Sequence, residues 1–222
     1  MSGDGVAEDR AAHVGLDEER EVLDATIGLL DRQLLGADSA MRGKVDDLLL
    51  RRRDDGAYEV AAVLSGPGAL WARLGGRYRP RSVVSFDVAD VDAWGGQVRL
   101  VDGAREGVPA CEDAGSGREE MRLSALLGCT VLDQAGTVRG HVNDVRLRRE
   151  RRPGVPAGVL VTVGVVVSDR HAGSMLGYRD GELTRPRVLA AIVARLLRRA
   201  FTVAWADVRD VDLDARRVVV RA

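Results

Sequence analysis

The 222-residue chain is poor in several features, and each shortage excludes a class of protein. Its two cysteines, Cys111 and Cys129, are too few for the disulfide framework of a small secreted domain, so we expect free thiols in a reducing cytosol. No apolar run approaches the ~20 residues that span a bilayer, and the acidic start lacks the apolar core of a signal peptide. These absences predict a soluble cytoplasmic protein.

Net charge and aromatic residues are also scarce. The net charge is −1, so no overall field attracts nucleic acid or an anionic membrane. Aromatic residues make up 4% of the chain and do not interleave with basic ones, so a nucleic-acid partner is not expected. Lys44 is the only lysine beside 32 arginines. We attribute this to coding bias, which makes the arginine count weak support for phosphate binding.

What the chain does contain is a repeat. The stretch LLDRQLLGADSAMRGKVDDLLLRR begins at Leu29, and LLGCTVLDQAGTVRGHVNDVRLRR begins at Leu126, so the two align without a gap at an offset of 97 residues. Both keep a Leu-Leu start, an Arg-Gly pair and a final Arg-Arg pair. A duplication of this length predicts two similar modules.

The repeat and the turn residues divide the chain into four parts. The acidic segment 1–21 is expected to be disordered, the first module covers 22–102, a linker covers 103–121, and the second module covers 122–222. Short β-branched runs between Gly, Pro and Asp turns predict a mainly β fold in both modules. The closing segments VADVDAWGGQVRL and VRDVDLDARRVVV share a Val-x-Asp-Val-Asp pattern and predict matching hairpins.

The copies are expected to differ at two places. Ser39 stands where Gly136 forms a hairpin turn, so the two turns are predicted to differ. The second module also holds an insertion that the first lacks, and its apolar spacing predicts an amphipathic helix over 184–200. The polar side and flanks of that helix carry four arginines: Arg187, Arg195, Arg198 and Arg199. Either these arginines are merely solvated, or they dock an acidic partner or the inner face of the membrane.

The repeated block resembles the opening of a PRC-barrel domain, a family named for the cytoplasmic part of the photosynthetic reaction centre H subunit, with a related barrel in a ribosome maturation factor. Residues 126–145 read Leu-Leu-Gly-x-x-Val-x-Asp-x-x-Gly-x-x-x-Gly-x-Val-x-Asp-Val. The first copy departs from this pattern with Asp31 and Ser39 in place of glycines. The resemblance covers nearly everything after Leu23 and implies two small antiparallel β-barrels in tandem, the second with the inserted helix. It brings no catalytic residues and no cofactor.

Four repeated residues are the candidate structural motif: Gly43, Asp47, Gly140 and Asp144. The aspartates form either a carboxylate or metal site or a local hydrogen bond that fixes a bulge or turn, and we favour the second. The glycines are expected to serve backbone geometry. The alternating aspartates near the two closing hairpins are interpreted as solvated strand faces, because no calcium-binding loop follows them. Neither the histidines nor the sequence Ser-Asp-Arg-His at 168–171 has the spacing of a metal or catalytic site.

These observations favour a non-enzymatic adaptor over an enzyme. The adaptor would bind a protein partner, among them the cytosolic part of a membrane protein or transporter, and would then lie at the inner face of the membrane. The alternative is an RNA- or ribosome-associated assembly factor, by analogy with the ribosome maturation factor. No metal or cofactor is expected for either function.

Overall fold

The computed structural model describes residues 22–107, 119–169 and 200–221, and in these ranges the protein is mainly β, as predicted. The strands of the first copy are β1 (Val22–Asp24), β2 (Gln33–Leu35), β3 (Met41–Lys44), β4 (Asp47–Arg52), β5 (Tyr58–Ser65), β6 (Val84–Asp87), β7 (Val91–Ala93) and β8 (Gln97–Leu100). Those of the second copy are β9 (Glu120–Arg122), β10 (Thr130–Leu132), β11 (Val138–Arg152), β12 (Val155–Ser168), β13 (Phe201–Ala204), β14 (Val208–Asp212) and β15 (Arg217–Val220). The α-helices are α1 (Ala25–Gly28), α2 (Pro67–Arg73) and α3 (Leu123–Leu126).

The strands form one large sheet that runs through both copies and one small sheet. The large sheet has eleven strands in the order β14-β15-β10-β11-β12-β5-β4-β9, with β1 beside β11, β13 beside β12 and β6 beside β5. The small sheet has the order β3-β2-β8-β7. The copies meet where β5 pairs with β12, and there the Tyr58 amide donates a 2.9 Å hydrogen bond to Thr162 Oγ1.

The two sheets differ in size, but the strands of the two copies pair in the same way. In each copy the strand after the repeat's start pairs antiparallel with the next strand and parallel with the last one, as β2 does with β3 and β8, and β10 with β11 and β15. The difference is a break at residues 45–46, which separates β3 from β4, whereas β11 continues through a bulge at the equivalent residues.

The first strand of each copy pairs with the other copy. We call residues 22–28, which form β1 and α1, the first arm, and residues 120–126, which form β9 and α3, the second arm. Leu23 in the first arm pairs with Leu147 of β11, and Met121 in the second arm pairs with Leu50 of β4. Leu50 and Leu147 are 97 residues apart, so the exchange is reciprocal. The predicted linker 103–121 ends inside the second arm.

The largest hydrophobic core combines residues of both copies. It includes Leu34, Leu50 and Phe86 of the first copy and Leu147 and Val165 of the second, all of them 2% exposed or less. Burial of apolar surface is worth roughly 25 cal/mol per Å², so a core built by both copies binds them to each other. The two halves therefore share their main source of stability.

The prediction that the two hairpin turns differ is wrong. Ser39 has a φ of 61° and Gly136 a φ of 81°, so both lie in the left-handed region. The bonds also match, because Gly36 N donates to Ala40 O as Asp133 N does to Thr137 O. Asp31, the other residue that replaces a glycine, likewise has a φ of 64°. The turn's hydrogen bonds impose the conformation, and serine accepts the strain.

The first copy has a short helix of its own at the point where the second copy has its insertion. The Gly66-Pro67-Gly68 segment begins the helix α2, with Pro67 in its first turn, where a missing amide donor costs nothing. This helix follows β5, just as the second copy's basic segment follows β12. Both copies thus carry additional residues at the same point of the topology.

The closing segments are hairpins, but their shared pattern is not structurally in register. The turn Val88–Asp90 corresponds to Trp205–Asp207, which places Val91 opposite Val208 rather than Val211. From Val208 to Val220 the second hairpin is three residues longer than the first is from Val91 to Leu100, which restores the sequence register at β8 and β15. The acidic segment 1–21, most of the linker and the predicted helix 184–200 with its four arginines lie outside the described residues.

Candidate functional site

Asp144 joins the second copy to the first arm. Its Oδ1 atom accepts 2.8 Å and 2.7 Å hydrogen bonds from the backbone amides of Thr26 and Val145. Thr26 lies in the first turn of α1, where amides lack helical partners, so the carboxylate caps a helix of the other copy. Asp144 is 7% exposed, and its burial raises the pKa of this carboxyl to about 6.

Asp47 makes the reciprocal connection. Its Oδ1 atom accepts hydrogen bonds from the amides of Leu48 (2.9 Å) and Ser124 (3.0 Å), and Ser124 Oγ donates to Oδ2. Ser124 lies in the first turn of α3, in the second arm. Asp47 is fully buried, which raises the pKa of its carboxyl above the usual range, although Arg122 lies 3.9 Å away.

The aspartates therefore do more than the local hydrogen bond that the sequence suggests. Each bonds the next residue's amide, which is the predicted local contact, and each also holds the arm of the other copy. The repeat itself does not signal these contacts, because at its offset of 97 residues Thr26 aligns with Leu123 and not with Ser124. No group of three or more His, Cys, Asp or Glu within the described ranges is arranged to hold a metal ion.

The two motif glycines hold the bend that positions these aspartates. Gly43 has a φ of 144° and Gly140 a φ of 141°. A Cβ on Gly140 would lie 2.7 Å from the carbonyl oxygen of Ser168, and one on Gly43 would collide with Ser65 Oγ. Both the backbone angle and the close approach exclude a side chain, as the motif predicts.

Two open clefts lie where a hairpin of one copy meets the closing hairpin of the other. The first cleft, of about 550 Å³, is formed by β7 and the β11–β12 hairpin. Its lining includes Asp92 and three arginines, Arg149, Arg151 and Arg152. Arg152 pairs with Glu59, at 2.9 Å and 2.5 Å, whereas Arg149 has no ion-pair partner within the described part of the chain.

The second cleft, of about 620 Å³, is the counterpart of the first. It is formed by the β4–β5 hairpin and by β14, and its lining includes the arginines Arg52, Arg148 and Arg209 and the carboxylates Asp55 and Asp210. Arg52 and Arg209 are exposed and have no ion-pair partner among the residues described. Its floor holds Tyr58 and Trp205, whose rings meet edge to face with centroids 5.6 Å apart.

The clefts differ in charge at two pairs of equivalent positions, and one of these pairs is Arg152 in the first cleft and Asp55 in the second. Arg52 and Arg149 are the second residues of the repeated Arg-Arg pairs, and each lines its own cleft. At the facing strand the first cleft has Asp92 and the second has Arg209. Within the described residues, the second cleft is therefore lined by two arginines without an ion-pair partner, which sequence analysis missed although the Arg-Arg pair belongs to the repeat.

The remaining sequence candidates have structural roles. Asp87 accepts a 2.8 Å hydrogen bond from the Ala89 amide, and Asp212 accepts one from Ala215 and pairs with Arg217 at 3.0 Å. Cys129 is a buried free thiol whose Sγ donates to Ala125 O, and burial raises its pKa to about 11. It is therefore protonated at neutral pH and a poor nucleophile.

Comparison with other proteins gives no further identification. No model of a known protein family matches the sequence, and no curated protein matches it either. Among the helices of the described ranges, none combines the length and apolarity that a membrane span requires.

Proposed function

We propose that the protein is a non-enzymatic adaptor that binds an acidic segment of a protein partner in its two arginine-lined clefts. In this proposal the copies are PRC-type half-barrels that exchange their arms. The partner class that the resemblance favours is the cytosolic part of a membrane protein or transporter. The adaptor would then lie at the inner face of the membrane.

One observation carries the proposal: each cleft is built from both copies and contains an arginine that has no ion-pair partner among the described residues. Arg149 has this role in the first cleft, and Arg52 with Arg209 in the second. Guanidinium groups recognise carboxylates through paired hydrogen bonds, and arginine is common at the energetic centres of interfaces. The buried aspartates, in contrast, are fully used in holding the arms.

The RNA-associated alternative has less support. Recognition of single-stranded RNA relies on aromatic rings that stack on bases. The two aromatic residues that line the second cleft, Tyr58 and Trp205, are each 7% exposed, and Trp205 Nε1 donates to Gly56 O at 3.1 Å. Such buried rings offer no stacking surface.

Affinity capture from native lysate tests the proposal. The chain with Arg52→Glu and Arg149→Glu is compared with wild type and with a control of equal charge change, Arg99→Glu and Arg105→Glu. We expect the wild type and the control to capture a protein that the cleft variant does not. The same protein, once purified, should bind the wild type directly. Equal loss in the control, or capture that a ribonuclease abolishes, would contradict the adaptor proposal.

A further inference from the structure

The helix α2 exposes two large apolar side chains. Trp71 is 55% exposed and Leu74 is 44% exposed. The other two tryptophans are tied to the protein by their indole nitrogens, since Trp94 Nε1 donates to Gly158 O and Trp205 Nε1 to Gly56 O. The ring of Trp71 instead rests against Gly76, where any Cβ would collide with it. The exposed ring is therefore held in position before any ligand arrives.

The residues after α2 carry positive charge without nearby acidic residues in the sequence. Residues 60–86 contain no Asp or Glu, although the whole chain has 34 acidic and 33 basic residues. Of the four arginines in this stretch, Arg73 pairs with Asp31 at 2.7 Å. The other three, Arg77, Arg79 and Arg81, are exposed and have no ion-pair partner in the described ranges.

The arginine-bearing segment is anchored rather than loose. Tyr78 lies between two of the arginines, is 8% exposed and packs in a small cluster with Leu64 and Val83. The Arg122 guanidinium lies 4.2 Å from the centroid of its ring, a cation–π contact. Because Tyr78 is fixed, its exposed neighbours Arg77 and Arg79 are held on the same side of the protein as α2.

We propose that this surface, formed by Trp71, Leu74, Arg77, Arg79 and Arg81 and here called the α2 surface, binds the anionic headgroups of a phospholipid bilayer. Tryptophan prefers the boundary between headgroups and acyl chains, and arginine forms paired hydrogen bonds with phosphate. Each arginine near an anionic membrane strengthens binding roughly fivefold, and the three arginines add to the contribution of the tryptophan. The inference goes beyond the adaptor proposal and does not depend on the clefts.

The second copy has a related sequence at the same place in the chain. Between β12 and β13 it reads Val193-Ala194-Arg195-Leu196, where α2 reads Trp71-Ala72-Arg73-Leu74. The arginines Arg187, Arg198 and Arg199 surround that match. Each copy thus has a basic, partly apolar sequence between equivalent strands, β5 and β6 in the first copy and β12 and β13 in the second.

Co-sedimentation of the full chain with vesicles tests the α2 surface. Vesicles of phosphatidylcholine alone are compared with vesicles that also contain phosphatidylglycerol, at low and high salt. We expect binding to the anionic vesicles only, weakened by salt. The triple variant Arg77→Gln, Arg79→Gln, Arg81→Gln should lower the partition coefficient roughly a hundredfold. The matched control Arg99→Gln, Arg105→Gln, Arg221→Gln should leave it within about a factor of three.

A fluorescence measurement makes the test independent of the triple variant. Brominated lipids in the anionic vesicles should quench part of the wild-type tryptophan emission, and Trp71→Phe should abolish that quenching while Trp94 and Trp205 still emit. The proposal is overturned if wild type does not bind anionic vesicles at low salt, or if both triple variants lose binding equally. It is also overturned if the arginines bind a poly-glutamate peptide but no vesicle, which would indicate an acidic protein instead.

Discussion

At the scale of single residues, the chain places ionisable groups where burial disfavours their charge. Asp144 accepts two backbone hydrogen bonds but keeps a raised pKa of about 6, because desolvation outweighs those bonds. Asp47 shows the same direction of shift. These carboxylates bind the copies together, and the cost of burying them makes the junction dependent on pH.

The pH dependence of stability follows from Asp144. A folded pKa of about 6 against an ordinary value of 3.8 means that between these values the folded state binds more protons than the unfolded state, so stability falls as pH rises through the folded pKa. Between pH 5 and 7.5 we expect a loss of about 1 to 2 kcal/mol in the free energy of unfolding. Urea denaturation of wild type and Asp144→Asn measures it. The asparagine keeps both hydrogen bonds to Oδ1, and the free energy of unfolding of this variant should depend less on pH. An equally steep pH dependence in the variant would assign the effect to another group.

The strained turn gives a second residue-scale prediction. Ser39 has a φ of 61°, and a side chain in the left-handed region costs about 1 kcal/mol. Ser39→Gly should therefore raise the unfolding free energy by a few tenths to about 1 kcal/mol, since the gain is partly offset by glycine's greater freedom when unfolded. Gly136→Ser should lower it by about 1 kcal/mol. Effects of the same sign at the two sites, measured as denaturation midpoints, would contradict the shared turn geometry.

At the scale of elements, the exchanged arms are the least expected feature. β1 pairs with β11 of the second copy and β9 with β4 of the first, and an aspartate of the opposite copy caps each arm helix. Arms of only seven residues cannot hold a strand and a helix by themselves. Their structure depends on the other copy's sheet.

A double-mutant cycle distinguishes exchanged from unexchanged arms. Asp47→Ala combined with Ser124→Ala should show a coupling energy of about 1 kcal/mol or more, because Ser124 Oγ donates to a buried carboxylate 77 residues away in sequence. The control pair, Asp47→Ala with Thr26→Ala, should be additive within about 0.5 kcal/mol. Coupling of Asp47 to Thr26 instead of Ser124 would mean that each arm packs on its own copy.

Local sequence predicts several of the strands but not their pairing. The β-branched run 159–167 predicts the strand Val155–Ser168, and Trp94-Gly95-Gly96 predicts the turn between β7 and β8. The arms were missed because a strand such as Val22–Asp24 has the same pattern whichever sheet it joins. The turn at Ser39 was misjudged because the hydrogen bonds of the hairpin turn outweigh the residue's own preference. The clefts were missed because each combines segments of different copies.

At the scale of the whole molecule, the duplicated sequence builds an interlocked pair. Arg53 and Glu150 occupy equivalent positions 97 residues apart and bond to each other at 2.9 Å, which is the pattern of an interface with two-fold symmetry. The shared core and the exchanged arms make each half incomplete alone. Two separate small barrels would be joined only by the linker. In the interlocked arrangement the two halves hold each other without it.

Cleavage of the linker tests the interlocked arrangement most directly. A protease site is placed between residues 108 and 118, the full chain is folded and then cut, and the product is examined by size exclusion and thermal unfolding. The exchanged arms predict that the two fragments co-elute at micromolar concentration and unfold in one transition, whose midpoint rises with protein concentration. Fragments that separate after cleavage and unfold independently would contradict the account.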